Sequence, residues 1–126
     1  MNKYVLDSSA ILAVINLERG YEAVEPLIAD SAVSTVNLAE VLSKLVERGV
    51  AVEEALDEFD QLGINVFSFD IHHAVKTSEL RPFTRHLGLS LGDRACLALA
   101  IQESATAITA DKNWTNLDVC PIEVIR

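Results

Sequence analysis

Residues 92–109, GDRACLALAIQESATAIT, carry the pattern on which the fold turns. From Gly92 to Glu103 the chain is apolar almost all round, as in a helix buried on every side rather than one lying on a surface. Thr106 to Thr109 then reads as a short strand. A buried helix feeding a strand is the repeating unit of a parallel α/β sheet. Outward from this stretch the same alternation recurs. Tyr4-Val5-Leu6 is a short buried strand, followed by a helix from Ser9 to Asn16. A second helix is expected over Tyr21 to Ala29, and a brief strand at Ala32-Val33-Ser34. Leu38, Val41, Leu42, Leu45 and Val46 recur at helical spacing, and Gly49 ends that helix. Val52, Leu56 and Phe59 mark another, closed near Gly63. Ile64 to Phe69 alternates with period two, which predicts a strand. Asp70 caps the helix after it, which runs to about Leu80, where Arg81-Pro82 breaks it. Ile122 to Ile125 is the last strand. Five strands separated by helices predict a mainly parallel five-stranded sheet with helices on both faces, a three-layer α/β sandwich.

The chain length of 126 residues suits one compact domain spanning residues 1–126. Half the residues are hydrophobic and 23% are charged, which supports a packed core and excludes disorder. Asp7 interrupts the apolar start, so no secretion signal is expected, and no run approaches the ~18 apolar residues of a membrane span. Cys96 and Cys120 form no disulfide framework, and Cys96 reads as a small buried hydrophobe. These features predict a cytoplasmic protein with no membrane partner. A net charge of −9 argues against a simple electrostatic nucleic-acid binder. The charge is uneven, however. Residues 1–63 hold twelve acids and four bases, whereas residues 64–126 hold seven acids and six bases. His72, His73 and His86 lie close to Lys76, Arg81, Arg85 and Arg94, a locally basic segment that is either a solvated face or a ligand-binding one.

In open parallel sheets, ligands bind beyond the carboxyl ends of the strands. Asp7 directly follows the first strand, and Asp111 follows the Thr106–Thr109 strand by two residues. Glu40 stands in the first turn of the helix after Ala32–Ser34, and Asp93 begins the buried helix, whose N-terminus points to the same edge. Each acid alone has a structural explanation. Asp7 could cap a helix, Asn37 with Glu40 and Ser90 with Asp93 both fit capping boxes, and Asp111 could sit in a turn. Four carboxylates converging on one edge, however, repel and raise one another's pKa. A hard divalent cation, Mg2+ or Mn2+, resolves that conflict through oxygen ligands and supplies the positive charge that a phosphate needs. The histidines lack zinc-motif spacing and read as surface residues.

The chain resembles the PIN-domain nucleases, and within them the VapC-type toxins of toxin–antitoxin pairs. The likeness rests on Val5-Leu6-Asp7-Ser8-Ser9-Ala10, on Ser34-Thr35-Val36-Asn37-Leu38-Ala39-Glu40-Val41, on the segment from Leu89 to Ala100, and on Thr109-Ala110-Asp111-Lys112-Asn113-Trp114. These stand in the family's order and cover essentially the whole chain. The resemblance implies a PIN-like fold and metal-dependent cleavage of RNA to a 5′-phosphate and a 3′-hydroxyl. It implies catalytic roles for Asp7, Glu40, Asp93 and Asp111, with Asp7, Asp93 and Asp111 as metal ligands. Ser8 and Thr109 match supporting hydroxyl positions. Asn113 stands where some relatives carry another acid, which puts a full second metal site in doubt. The resemblance also implies a VapB-like antitoxin that inserts a segment near the acids, and a homodimer. Arg94, Arg81, Arg85 and Lys76 are candidates for contacting the RNA backbone. For Arg94 a structural pair is the other reading. Trp114 either stacks on a base or packs in the core.

Two other classes compete. A haloacid-dehalogenase-like phosphatase also places an Asp after its first strand, but it wants a second acid two residues on, where Ser9 stands. A receiver domain needs an acidic pair and a strand-end Lys that do not assemble here. A PIN-like module that binds RNA or protein without cutting it would have no need of four intact acids.

Overall fold

The computed structural model describes residues 2–126. Strands β1 (Tyr4–Leu6), β2 (Ser31–Ser34), β3 (Asn65–Phe67), β4 (Thr106–Thr109) and β5 (Ile122–Val124) form one sheet in the order β3-β2-β1-β4-β5, with every pair parallel. The helices between them are α1 (Ser8–Asn16), α2 (Tyr21–Val24), α3 (Thr35–Glu47), α4 (Val52–Asp60), α5 (Ile71–Glu79), α6 (Arg81–Thr84) and α7 (Leu91–Gln102). The chain works outward from β1 through β2 to β3, then returns to the other side of β1 to lay down β4 and β5.

Period-two alternation divides the strands between two cores. Leu6, Val33 and Ile108 pack with Ile11 of α1, Val41 of α3 and Phe59 of α4. Val5, Ala32 and Ala107 face the other way, against Cys96, Leu97 and Leu99 of α7. Register places Ala32 and Ala107 on either side of Val5, so the sheet is low where α7 lies on it. Helix α5 covers α7 from outside, which explains why α7 is apolar on every face. The result is the three-layer, parallel α/β fold expected from the sequence. Cys96 and Cys120 are both free thiols.

The structure corrects several local expectations. The helix expected from Tyr21 to Ala29 stops at Val24 and continues as a 3-10 turn over Glu25–Asp30. Pro26 has no N–H for an α-helical bond to the preceding turn, so the backbone tightens there. The strand expected over Ile64–Phe69 shrinks to Asn65–Phe67 and is largely exposed, because β3 is an edge strand with β2 as its one neighbour. Val46 is exposed; the buried stripe of α3 is Asn37, Val41 and Leu45. Arg81-Pro82 ends α5 as expected but opens the short helix α6, with Pro82 in its first turn, where a missing N–H costs nothing. His73, read as a surface residue, is buried against Phe69, whose ring it meets edge-on at 5.9 Å.

Candidate active site

Strand order reverses between β1 and β4, and this is where an open parallel sheet leaves a crevice at its carboxyl edge. Asp7 and Asp111 follow the two strands, β1 and β4, that meet at that switch point. The backbone N–H of Asp7 bonds the Ile108 carbonyl at 2.9 Å, extending the β1–β4 ladder by one residue and bringing Asp7 beside Thr109. Asp7 occupies the N-cap position of α1, yet its carboxylate makes no capping hydrogen bond. Instead Oδ2 accepts from the hydroxyls of Ser9 at 2.7 Å and Thr109 at 3.0 Å. Those hydroxyls are oriented in turn by backbone donors. Ser9 accepts from the Ala110 N–H at 2.9 Å, and Thr109 from the Asp111 N–H at 3.1 Å. The second oxygen, Asp7 Oδ1, is buried and has no partner among the described residues. Only 4% of Asp7 is exposed.

Glu40 reaches the site from α3, which begins immediately after β2. Ser34 caps this helix, its Oγ accepting from the Val36 N–H at 3.2 Å. The capping box expected from Asn37 and Glu40 is therefore not the cap of α3; Asn37 lies inside the helix and is fully buried. Its amide donates to Glu40 Oε1 at 3.0 Å and to the Gly92 carbonyl at 2.9 Å. The second expected capping box is present in full. Asp93 Oδ2 accepts from the Ser90 N–H at 2.9 Å, and Ser90 Oγ accepts from the Asp93 N–H at 3.2 Å. Asp111 caps the 3-10 turn Lys112–Trp114 by accepting from the Asn113 N–H at 2.9 Å.

The carboxylates feel one another. Burial pushes the Asp7 carboxyl up to about 6; the nearby charges of Asp93 and Glu40 add to this, and the hydroxyls of Ser9 and Thr109 oppose it. Asp93 is also raised, first by burial and then by the charges of Asp111 and Glu40, against the pull of its hydrogen bonds to Ser90. As the side chains stand, no three His, Cys, Asp or Glu groups among the described residues converge closely enough to hold a metal jointly. Asp93 and Asp111 each spend an oxygen on a helix cap. The arrangement still fits a hard cation: Mg2+ commonly takes only one or two carboxylates, with waters and phosphate oxygens completing its shell. The buried, unpartnered Asp7 Oδ1 is a ligand atom without a ligand.

The remaining sequence candidates fall in different places. Thr109 is at the centre of the site. Ser8 makes no side-chain hydrogen bond among the described residues, and the hydroxyl on Asp7 beside that of Thr109 comes from Ser9. Asn113 is exposed, and its backbone rather than its side chain engages Asp111. Arg94 points to α5, donating from Nη1 to the Thr77 carbonyl at 3.1 Å, so it fastens α5 to α7. Lys76 stands 3.8 Å from Glu79 in an exposed pair. Arg81 and Arg85 are exposed, with no ion pair among the described residues. Trp114 is fully buried in the α7-side core, which excludes base stacking without unfolding that region. Sequence reasoning did not single out Ser9, Asn37 or Gly92 as parts of the site. Asn37 and Gly92 carried one usable signal: both stand within three residues of a site acid, at helical spacing or adjacent to it.

A family model described as the PIN domain matches residues 4–119 of the chain. No curated protein matches it by sequence. Among solved structures, the DNA-bound VapBC from Salmonella typhimurium is similar with a TM-score of 0.78 at 19% identity, covering 100% of both chains. VapBC2 from Rickettsia felis, bound to a DNA fragment from its promoter, gives 0.73 at 22%, covering 95% of this chain and 96% of that one. VapBC-5 from Mycobacterium tuberculosis, a member of the VapBC toxin–antitoxin family, gives 0.64 at 23%, covering 100% and 99%. At these identities the likeness is one of fold.

Proposed function

The chain belongs to the PIN domain family, and from that premise we propose that it is a metal-dependent endoribonuclease, working as one domain and serving as the toxin of a toxin–antitoxin pair. The observation that carries this reading is the Asp7 carboxylate. It is buried beside two other acids, with one oxygen locked by two hydroxyls and the other left without a partner. A protein with no use for such a charge would neutralise or remove it.

In this reading Asp7, Asp93 and Asp111 hold Mg2+ or Mn2+. When bound, such an ion activates water and neutralises phosphoryl charge. Ser9 and Thr109 fix the Asp7 carboxylate through Oδ2 and leave Oδ1 for the cation. Glu40, held through Oε1 by Asn37, keeps Oε2 free to orient the attacking water and take its proton. Asp93 stands in the first turn of α7, whose positive dipole end favours an approaching phosphate. Arg81 and Arg85 attract the RNA backbone. A VapB-like antitoxin and a second copy of the chain are the assembly partners, supported by exposed Ile71, Val75, Phe83 and Leu91. No described helix is long and apolar enough to cross a membrane, and the proposed site of action is the cytoplasm.

The test is cleavage of end-labelled total RNA by antitoxin-free protein with Mg2+ or Mn2+, beside EDTA and Asp93→Asn controls. Discrete products that vanish in both controls are expected. A folded protein that neither cuts RNA nor binds Mn2+ would return the chain to the non-catalytic reading.

A further inference from the structure

Three facts converge at the contact between α3 and α7. Asn37 is fully buried, and both hydrogens of its amide are used, one on Glu40 Oε1 and one on the Gly92 carbonyl. Two acceptors facing the same nitrogen fix which way the amide points. Its oxygen, Oδ1, is buried with no partner among the described residues. An amide introduced only to glue two helices together would be expected to satisfy its acceptor as well as its donors. The third fact is Gly92. A Cβ built there would lie 2.6 Å from Glu40 Cδ and Oε1, and closer still to Oε2. Gly92 is in the helical region, so its backbone needs no glycine; the space beside it does, and the Glu40 carboxylate fills that space.

We infer that Asn37 is a positioning residue for the Glu40 carboxylate, holding it against the Gly92 peptide next to Asp93, and that Gly92 is the seat this carboxylate requires. The role rests on the nuclease reading above, in which Glu40 would hold a water on the bound cation or orient the attacking one, so that misplacing its carboxylate would also loosen the cation. Left to itself, Glu40 is a long, half-buried side chain with several rotamers. Asn37, one turn earlier on the same helix face, removes that freedom and spans to the element that carries Asp93. The two acids, one from α3 and one from α7, are thereby set in a fixed relation by a neutral donor. A lysine or arginine there would instead compete with a cation for the carboxylate.

The test is a double-mutant cycle with two readouts. Wild type, Asn37→Ala, Glu40→Ala and the double variant are stripped of metal and titrated with Mn2+ by calorimetry. Asn37→Ala is expected to weaken Mn2+ binding roughly tenfold in the wild-type background and less than about twofold when Glu40 is already alanine, the range over which second-shell partners act on metal sites. Equal losses in both backgrounds, or none in either, would overturn the positioning role while leaving the nuclease reading in place. Wild type that binds no Mn2+ at all would overturn both. Gly92→Ala provides a metal-free check that does not depend on Asn37→Ala folding well. It is expected to lower the melting temperature in the wild type, and to raise it in the Glu40→Ala background, where the clash is gone and alanine is the better helix former. A Gly92→Ala shift of the same sign and size in both backgrounds would contradict the seat.

Discussion

The two ends of the sheet differ in kind. At the amino edge, Ala100, Ile101, Ser104, Ala105, Val119, Cys120 and Pro121 line a cavity of about 270 Å3 between the end of α7 and the starts of β4 and β5. It has the shape of a binding site and almost none of the chemistry: its one titratable group is Cys120, whose thiol burial pushes up to about 11, away from the reactive thiolate. At the carboxyl edge, the cluster around Asp7 and Glu40 holds buried polar atoms without partners, Asp7 Oδ1 and Asn37 Oδ1, beside carboxylates raised by their surroundings. Concavity alone would choose the amino edge. Unspent polar capacity and mutual repulsion favour the carboxyl edge, where the proposed site lies.

The sharpest way to break this contrast is to substitute at both ends. Asp7→Asn keeps the shape and removes the charge, so RNA cleavage is expected to fall by roughly 100-fold or more, as it should for Asp93→Asn. Cys120→Ser, at the amino edge, is expected to leave the rate within about twofold, as surface-side changes away from a site usually do. Comparable losses at both ends, measured with one labelled RNA substrate, would erase the distinction. Next in size is the basic segment. Replacing Lys76, Arg81 and Arg85 together with alanine is expected to weaken RNA binding roughly tenfold and to flatten its salt dependence. An unchanged salt slope in a binding titration would remove that segment from the interface.

The placement of the candidate acids was legible in the sequence wherever a residue's place follows from the order of elements. Asp7 and Asp111 stand just after strands, and Asp93 opens a helix that returns to the same edge, so alternation alone predicts their common side. The details that failed depend on boundaries or on distant partners. Reading Asn37 as a cap placed the helix start three residues late. Ser34 takes the cap because β2 runs straight into α3, and that shift turns Asn37 from a solvated terminus into a buried donor. The choice of hydroxyl for Asp7 rests with Ala110 and Thr109, about a hundred residues away, whose N–H and Oγ lie beside Ser9. The burial of His73 follows from α5 packing on α7, a tertiary contact with no local signature.

Stability offers a finer comparison. Asp7 keeps its proton to about pH 6 in the folded chain, against an ordinary value of 3.8. Between those values the folded state binds more protons than the unfolded one, so stability falls as pH rises through that window and stays lower above it. In metal-free protein, wild type is expected to lose on the order of 2 kcal/mol more than Asp7→Asn between pH 4 and pH 7. Parallel urea-unfolding curves at each pH would check it, and identical pH profiles would refute it. The amino edge should show only a small structural gain. Ser104 sits at φ 52, a left-handed conformation that glycine adopts freely, so Ser104→Gly is expected to add about 0.5–1 kcal/mol with no change in cleavage.

The most direct measurement is a calorimetric Mn2+ titration of metal-free wild type and Asp7→Asn at pH 7, with each protein's fold verified by circular dichroism. Saturable binding to wild type that is lost in Asp7→Asn would establish the carboxyl-edge acids as a cation site. Binding that survives unchanged in Asp7→Asn, or is absent from a folded wild type, would contradict it.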